Sequence, residues 1–221
     1  MSTILITGAG RGLGYELARQ YAGDGWHVIG TVRDAHARLP GGVERQIVDV
    51  TNRKQVAGLG KALRGIALDV LFCNAGISGK RGMALGSYDY QSWEEVLRVN
   101  LLGAAAVAEA LLPNVLAGER KVIAMMSSRL GSIAEASGMT LPYATSKAAL
   151  NMLVKGLAAQ LAAQGVIVVA LSPGWVRTDM GGASAPLAPE TSAANLRDVI
   201  AGLKQRDSGK FLSHDGSPIP W

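Results

Sequence analysis

Cysteine is almost absent from this chain: Cys73 is the one thiol in 221 residues. No internal disulfide framework can form, which suits a reducing compartment. Cys73 stands near the end of an apolar run and reads as a small core residue. The three histidines, His27, His36 and His214, do not cluster and share no ligand spacing with Cys73, so no metal centre is expected. Long apolar runs are missing too. No stretch of about 18 uninterrupted apolar residues occurs, so no membrane span is expected. The opening MSTILITGAG has no basic region and only a short apolar run before its glycines. No secretory signal is therefore expected, and the cytoplasm is the expected location. There is no block of consecutive basic residues and no interleaving of aromatic with basic side chains, so nucleic acid is not an expected partner.

What the chain does have is a globular composition, 48 % hydrophobic and 18 % charged, at a length that one domain can fill. The net charge of +5 is uneven. Residues 1–65 carry nine Lys/Arg against five Asp/Glu, and residues 66–221 thirteen against twelve. A small anionic ligand held by the first third accounts for that asymmetry. Apolar, β-rich runs recur at 4–7, 27–32, 45–48, 68–73, 121–126 and 166–171. Ala/Leu-rich helical segments at 13–22, 53–63, 92–116, 143–163 and 189–203 separate most of them. The strand runs are continuous rather than alternating, as strands buried on both faces are. The pattern predicts an α/β fold: a single-domain Rossmann-type doubly wound parallel sheet with helices on both faces. No linker, repeat or low-complexity tract interrupts it. Residues 1–221 form one expected domain, with a cofactor half of about 1–125 and a catalytic and substrate half of about 126–221. Residues 79–87 and 181–188 read as loops, and the tail after Gly209 as short and Pro-rich.

The first strand runs into TGAGRGLG, Thr7 to Gly14. Gly8 permits a turn, Gly12 lets the backbone approach a pyrophosphate, and the N-terminus of the helix that follows offers free N–H groups. The spacing is GxxxGxG rather than GxGxxG. The second strand ends Thr31-Val32-Arg33-Asp34, where an acid would hold a ribose and an arginine a 2′-phosphate. Arg33 follows the strand and Arg11 sits in the glycine loop. Two guanidiniums at one corner favour a phosphate dianion, so NADP is the expected cofactor. NAD is the alternative, with Asp34 on the ribose hydroxyls.

Tyr143 and Lys147, in YATSKAAL, stand at i and i+4 on one helix face. A nearby ammonium stabilises phenolate, and a tyrosine so tuned can act as general acid/base near neutral pH. Alone, the pair reads first as an ordinary surface pair.

Six segments in order and at matching spacings alter that balance. They are TGAGRGLG (7–14), NAG (74–76), Asn100 within VLRVNLLG, MSSRLGS (126–132), YATSK (143–147) and LSPGWVRTD (171–179). Over nearly its whole length the chain resembles the short-chain dehydrogenase/reductase family. Its later part, including the ending SHDGSPIPW, is most similar to C-factor-like and sniffer-like carbonyl reductases. The resemblance implies roles residue by residue. Tyr143 is the acid/base, Lys147 lowers its pKa and holds the nicotinamide ribose, and Ser128 rather than Ser127 binds the substrate oxygen. Asn100 anchors a water that joins Lys147 to solvent. Gly8, Arg11, Gly12, Leu13 and Gly14 line the cofactor phosphates, with Asp49 and Val50 toward the adenine. Asn74, Ala75 and Gly76 pass the adenosine side. Pro173, Gly174, Val176 and Thr178 border the nicotinamide.

Some features depart from the family pattern. Cys73 stands where a second Asn is frequent. The loop from Gly131 to Pro142 is long. The segment after Thr178, MGGASAPLAP, is a short lid poor in aromatics, which implies an open pocket. The apolar excess of helices 92–116 and 143–163 implies a homodimer or homotetramer. The expected activity is NADPH-dependent reduction of a ketone or aldehyde, or oxidation of the alcohol, on a small substrate. The alternative is a C-factor-like signalling or interaction protein that retains a dinucleotide site.

Overall fold

Seven parallel strands make one sheet in the computed structural model, which describes all 221 residues. In chain order they are β1 (Thr3–Ile6), β2 (His27–Val32), β3 (Val43–Ile47), β4 (Val70–Cys73), β5 (Val122–Met126), β6 (Ile167–Ser172) and β7 (Phe211–Ser213). Across the sheet the order is β3-β2-β1-β4-β5-β6-β7, every neighbouring pair parallel. The helices are α1 (Gly12–Gly23), α2 (Arg53–Ala62), α3 (Tyr90–Leu97), α4 (Ala104–Ala117), α5 (Leu141–Leu161) and α6 (Pro189–Gly202).

Alternate residues of the central strands feed two separate cores. Leu5, Leu71, Ile123 and Val168 pack with Val56 of α2, Leu111 of α4 and Val154 of α5. Ile4, Phe72, Ala124 and Val169 pack against Leu17 of α1 and Leu196 of α6 on the other face. Apolar residues of both parities are buried, which is why the strands read as continuous runs. The winding reverses between β1 and β4. Open α/β sheets bind ligands at that crevice, beyond the carboxyl ends of the strands.

One expectation is corrected: the run expected at 45–48 is β3, Val43–Ile47, an edge strand with no fully buried residue. The short tail after Gly209 adds a strand that the sequence did not announce: Phe211–Ser213 pairs with β6, and Leu212 makes a further antiparallel bridge to Pro218. Three residues are too few to show a period of two, and the pairing comes from β6 rather than from local pattern.

Helix α3 passes into α4 through a π-type segment, Arg98–Gly103, which contains Asn100. Such insertions collect at functional sites. The combined helix Tyr90–Ala117 is long and apolar enough to cross a bilayer by length and composition, but 56 % of its most apolar window is buried inside the protein. It is a core helix. Helix α5 begins at Leu141 with Pro142 in its first turn, two residues before the expected start, so Tyr143 lies inside the first turn.

Candidate active site

The glycine loop joins β1 to α1 at the switch point. Gly8 and Gly12 have φ of +70° and +54°, a region that side chains rarely adopt. Gly14 is required for a different reason. A Cβ there would lie 2.3 Å from the Gly8 oxygen and 2.4 Å from Asn74 Nδ2. Arg11 occupies the N-cap of α1, and its side chain makes no capping hydrogen bond. The first-turn N–H groups, those of Leu13 and Gly14 among them, are thus left for an anion. A pyrophosphate fits this cradle.

Thr7 and Asn74 hold the cradle in shape. Asn74 Nδ2 donates to the main-chain oxygens of Thr7 (2.9 Å) and Gly8 (3.1 Å). In return the Thr7 hydroxyl accepts from the amides of Asn74 and Ala75, both at 3.0 Å. Asn74 therefore acts on the loop itself, with Ala75 beneath Gly8, whose absent Cβ would meet the Ala75 Cα at 3.1 Å. Thr7 went unassigned in the sequence, although a hydroxyl closing a strand just before the glycines was its signal.

The two arginines expected at one corner take different partners. Arg11 Nη1 lies 3.3 Å from Asp179 Oδ2, both side chains largely exposed. Arg33 stands near Asp49, whose carboxyl is held below its usual range by the Thr51 hydrogen bonds and, more weakly, by the Arg33 charge, against the opposing effect of burial. Asp34 Oδ1 accepts from the His36 amide at 2.8 Å, a local turn. Val50 is buried and packs where a Cβ on Gly103 would sit.

Four chemically active side chains converge past β4 and β5. Lys147 is buried, at 3 % exposure, and its ammonium donates to the Met126 main-chain oxygen at 2.8 Å. It lies 5.5 Å from the centre of the Tyr143 ring. Asn100 is fully buried. Its amide donates to Ile77 O and Ser146 Oγ, each at 2.9 Å, and its oxygen accepts from Ile77 N at 2.9 Å. Gly76 lies between: a Cβ there would come 3.2 Å from Asn100 Oδ1 and 3.6 Å from Lys147 Nζ. Ser128 caps the short turn Arg129–Gly131 at the end of β5, its Oγ accepting from Leu130 N at 3.3 Å. Gly131 lets that turn lie against α5, where a Cβ would sit 2.8 Å from the Lys147 backbone.

Ser127 and Ser128 separate clearly. Ser127 is buried and donates to Asn151 Oδ1 at 2.6 Å. Ser128, not Ser127, acts on Tyr143, drawing its pKa down against the effect of burial.

The electrostatics run opposite to the expected depression of the tyrosine. Burial pushes the Tyr143 phenol up to about 12, and the Ser128 hydrogen bond only partly offsets it. Burial likewise pushes the Lys147 ammonium down to about 8. Among the protein's own groups, desolvation outweighs the attraction of a lysine that is itself poorly solvated.

The loop after β6 closes the other wall. Gly174 has φ +79°, and a Cβ on it would strike His214 at 2.8 Å. The Pro173 oxygen accepts from Ser192 Oγ at 2.7 Å, and Val176 bridges to Leu187. Thr178 faces the glycine loop, its Cγ2 3.6 Å from where a Cβ of Gly12 would be. The lid segment is a self-bonded turn. Trp175 Nε1 donates to Gly181 O at 2.8 Å, Arg177 to Ala185 O and Pro186 O, and Arg81 reaches across from the 79–87 loop to Met180 O. Cys73 is buried, its thiol pushed up to about 12. No three His, Cys, Asp or Glu side chains come together as a metal site.

Comparison with known proteins agrees with this geometry. The C-signal protein of Myxococcus xanthus is 41 % identical over 155 residues, 70 % of this chain and 93 % of that one. Carbonyl reductase Sniffer of D. melanogaster superposes with a TM-score of 0.90 at 33 % identity, covering all of both chains. A short-chain dehydrogenase/reductase from Burkholderia multivorans with bound NADP superposes with a TM-score of 0.90 at 32 % identity, over 100 % of this chain and 99 % of that one. The family model described as short chain dehydrogenase matches residues 2–186. With its seven-stranded parallel sheet, glycine cradle and Tyr143/Lys147 pair, the chain belongs to the short-chain dehydrogenase/reductase family.

Proposed function

We propose that this protein is an NADPH-dependent reductase of a small ketone or aldehyde, running in reverse on the corresponding alcohol, with Tyr143 as its acid/base. The observation that carries the reading is the convergence of Ser128, Tyr143, Lys147 and Asn100 beyond β4 and β5, beside a cradle shaped for pyrophosphate.

Bound NADPH supplies the hydride. Ser128 holds the substrate oxygen and aligns it with the phenol. Tyr143 delivers the proton to that oxygen, and the pKa of about 12 keeps it protonated at neutral pH, the form a reduction requires. Lys147, still charged below about pH 8, steadies the phenolate left behind. Asn100 fixes the helix segment beside Lys147, through which the proton is replaced from solvent.

The preference for NADP rests on Arg33. It follows β2 directly, and Val32 leaves the strand end without an acid. The NADP-bound Burkholderia structure supports the same choice. Arg11, paired with Asp179, is a secondary contact. A protein that only signalled while retaining a cofactor would need no acid/base set, so the four converging residues favour an enzyme over the signalling reading that the C-signal relative suggests.

The test is NADPH consumption against a panel of aldehydes and ketones at neutral pH. Turnover on at least one carbonyl is expected. Tight NADPH binding with no turnover on any of them would instead point to the signalling reading.

A further inference from the structure

The motif SHDGSPIPW, residues 213–221, has no part in the chemistry above, yet it touches both walls of the site. It folds back on itself as a hairpin. Ser213 N donates to Ser217 O at 2.8 Å, Ile219 N donates to Phe211 O at 2.8 Å, and the Asp215 carboxylate accepts from Ser217 N and Oγ at 3.0 and 2.6 Å. Ile219 is buried in the core. The Trp221 ring then stacks on Phe211, centroids 5.6 Å apart and planes at 26°, with the Lys155 ammonium 5.5 Å from its centre.

This anchoring fixes the position of the Trp221 main-chain oxygen. That oxygen accepts from Ala134 N at 2.9 Å and from Ser132 Oγ at 3.4 Å. Ser132 is buried, at 2 % exposure, and its Oγ also accepts from Glu135 N. Glu135 in turn pairs with Arg129 through two contacts, at 2.6 and 2.7 Å. Arg129 is the residue after Ser128, and the turn closes through Gly131 N donating to Ser128 O at 2.8 Å. On its other side the turn is limited by α5, at Gly131. The loop that carries Ser128 is thus held between α5 and Trp221.

We propose that Trp221 is a positioning residue for Ser128: its stacked ring and main-chain oxygen hold the Ser132–Glu135 segment, and through it the orientation of the Ser128 hydroxyl toward the substrate oxygen. The inference rests on the catalytic reading of Ser128. A hydroxyl displaced by about 1 Å costs up to roughly 100-fold in rate, whereas the glycine loop that would hold the cofactor phosphates follows β1 and makes no contact with the Trp221 segment.

The experiment compares wild type with Trp221→Ala, Trp221→Phe, Ser128→Ala and the double variant Ser128→Ala/Trp221→Ala. Three readouts are taken: kcat on the best carbonyl of the panel, Kd for NADPH, and amide hydrogen exchange by residue. Trp221→Ala is expected to lower kcat about 10- to 100-fold at unchanged NADPH Kd. Trp221→Phe, which keeps a ring to stack on Phe211, restores most of it. In the Ser128→Ala background the same change adds little, because the group it positions is already gone. Exchange at Ala134 and Glu135 accelerates in Trp221→Ala while α5 and β5 keep their protection. Should Trp221→Ala not fold, Ser132→Ala removes one of the two contacts to the Trp221 oxygen and is read in the same way. Losses that multiply independently in the double variant, or failure of Trp221→Phe to rescue, overturn the proposal. A wild type with no carbonyl turnover defeats the catalytic reading instead, and unchanged exchange at Ala134 defeats the clamp whatever the turnover.

Discussion

Replacing Lys147 by methionine removes an ammonium that the fold buries at 3 % exposure. Burial moves that group from 10.5 to about 8, a displacement of roughly 2.5 pH units, equivalent to about 3 kcal/mol against folding with the lysine charged. The variant loses the 2.8 Å hydrogen bond from the charged ammonium to Met126 O, which costs about 1.5–3 kcal/mol. Near pH 7 Lys147→Met is therefore expected to be at least as stable as wild type, by up to about 2 kcal/mol, although inactive. The pH dependence is the sharper test. From about pH 8 to about 10.5 the unfolded chain keeps a proton on this lysine that the folded chain has released. The unfolded state binds more protons there, so wild-type stability rises with pH relative to the variant, at up to about 1.4 kcal/mol per pH unit. Cys73 and Tyr143, both pushed up to about 12, act in the opposite direction; Cys73 is common to both proteins and cancels, and Tyr143, which starts from 10.0, contributes little up to pH 9.5. Urea unfolding of both proteins at pH 7, 8, 9 and 9.5 measures it. The variant's advantage should shrink by about 2 kcal/mol between pH 7 and 9.5. A difference that is flat or grows with pH would refute the burial argument for Lys147.

Other outcomes follow from particular contacts. Ser128→Ala should lower kcat with little effect on stability. Ser127→Ala should do the reverse, losing about 1–3 kcal/mol in urea because Asn151 Oδ1 is left without its 2.6 Å donor; the opposite assignment would move the catalytic role to Ser127. Arg33→Ala should weaken NADPH roughly 10- to 100-fold and leave NADH nearly unchanged, since a charge-assisted contact to the extra phosphate contributes about 1.5–3 kcal/mol. A wild type that binds NADH more tightly than NADPH in fluorescence titration would defeat this and favour Asp34. Met152, 72 % exposed on α5, and Leu102, 45 % exposed beside α4, mark the apolar face expected to pair with a second copy. Light scattering should show an oligomer that Met152→Glu dissociates, and a monomeric wild type at micromolar concentration ends the idea.

Much of this was legible because short-range rules and the site coincide. Gly8, Gly12 and Gly14 announce a cradle because backbone angles and close approach demand glycine there, and such demands are local. Tyr143 and Lys147 share a helix face at any four-residue spacing. Longer-range partners were not legible. Nothing near Arg11 in the chain points to Asp179, 168 residues away. Nothing near Ser127 points to Asn151. The role of Asn74 in bracing Thr7 and Gly8 needs β1 and β4 to be neighbours. The direction of the Tyr143 pKa was misjudged because pair geometry is visible in a sequence and burial of the pair is not. β7 escaped notice because three residues carry no period, and the hairpin it starts reaches the Ser128 loop only in three dimensions.

In the proposed reduction Tyr143 supplies the proton. Tyr143→Phe, measured in parallel for NADPH affinity and for turnover on the best carbonyl substrate, isolates that role. The ring remains to pack beside Lys147 and only the hydroxyl is lost. NADPH affinity should stay near the wild-type value while kcat falls at least about 100- to 10,000-fold. A Tyr143→Phe protein that binds NADPH normally and keeps more than a few per cent of wild-type kcat would contradict the account.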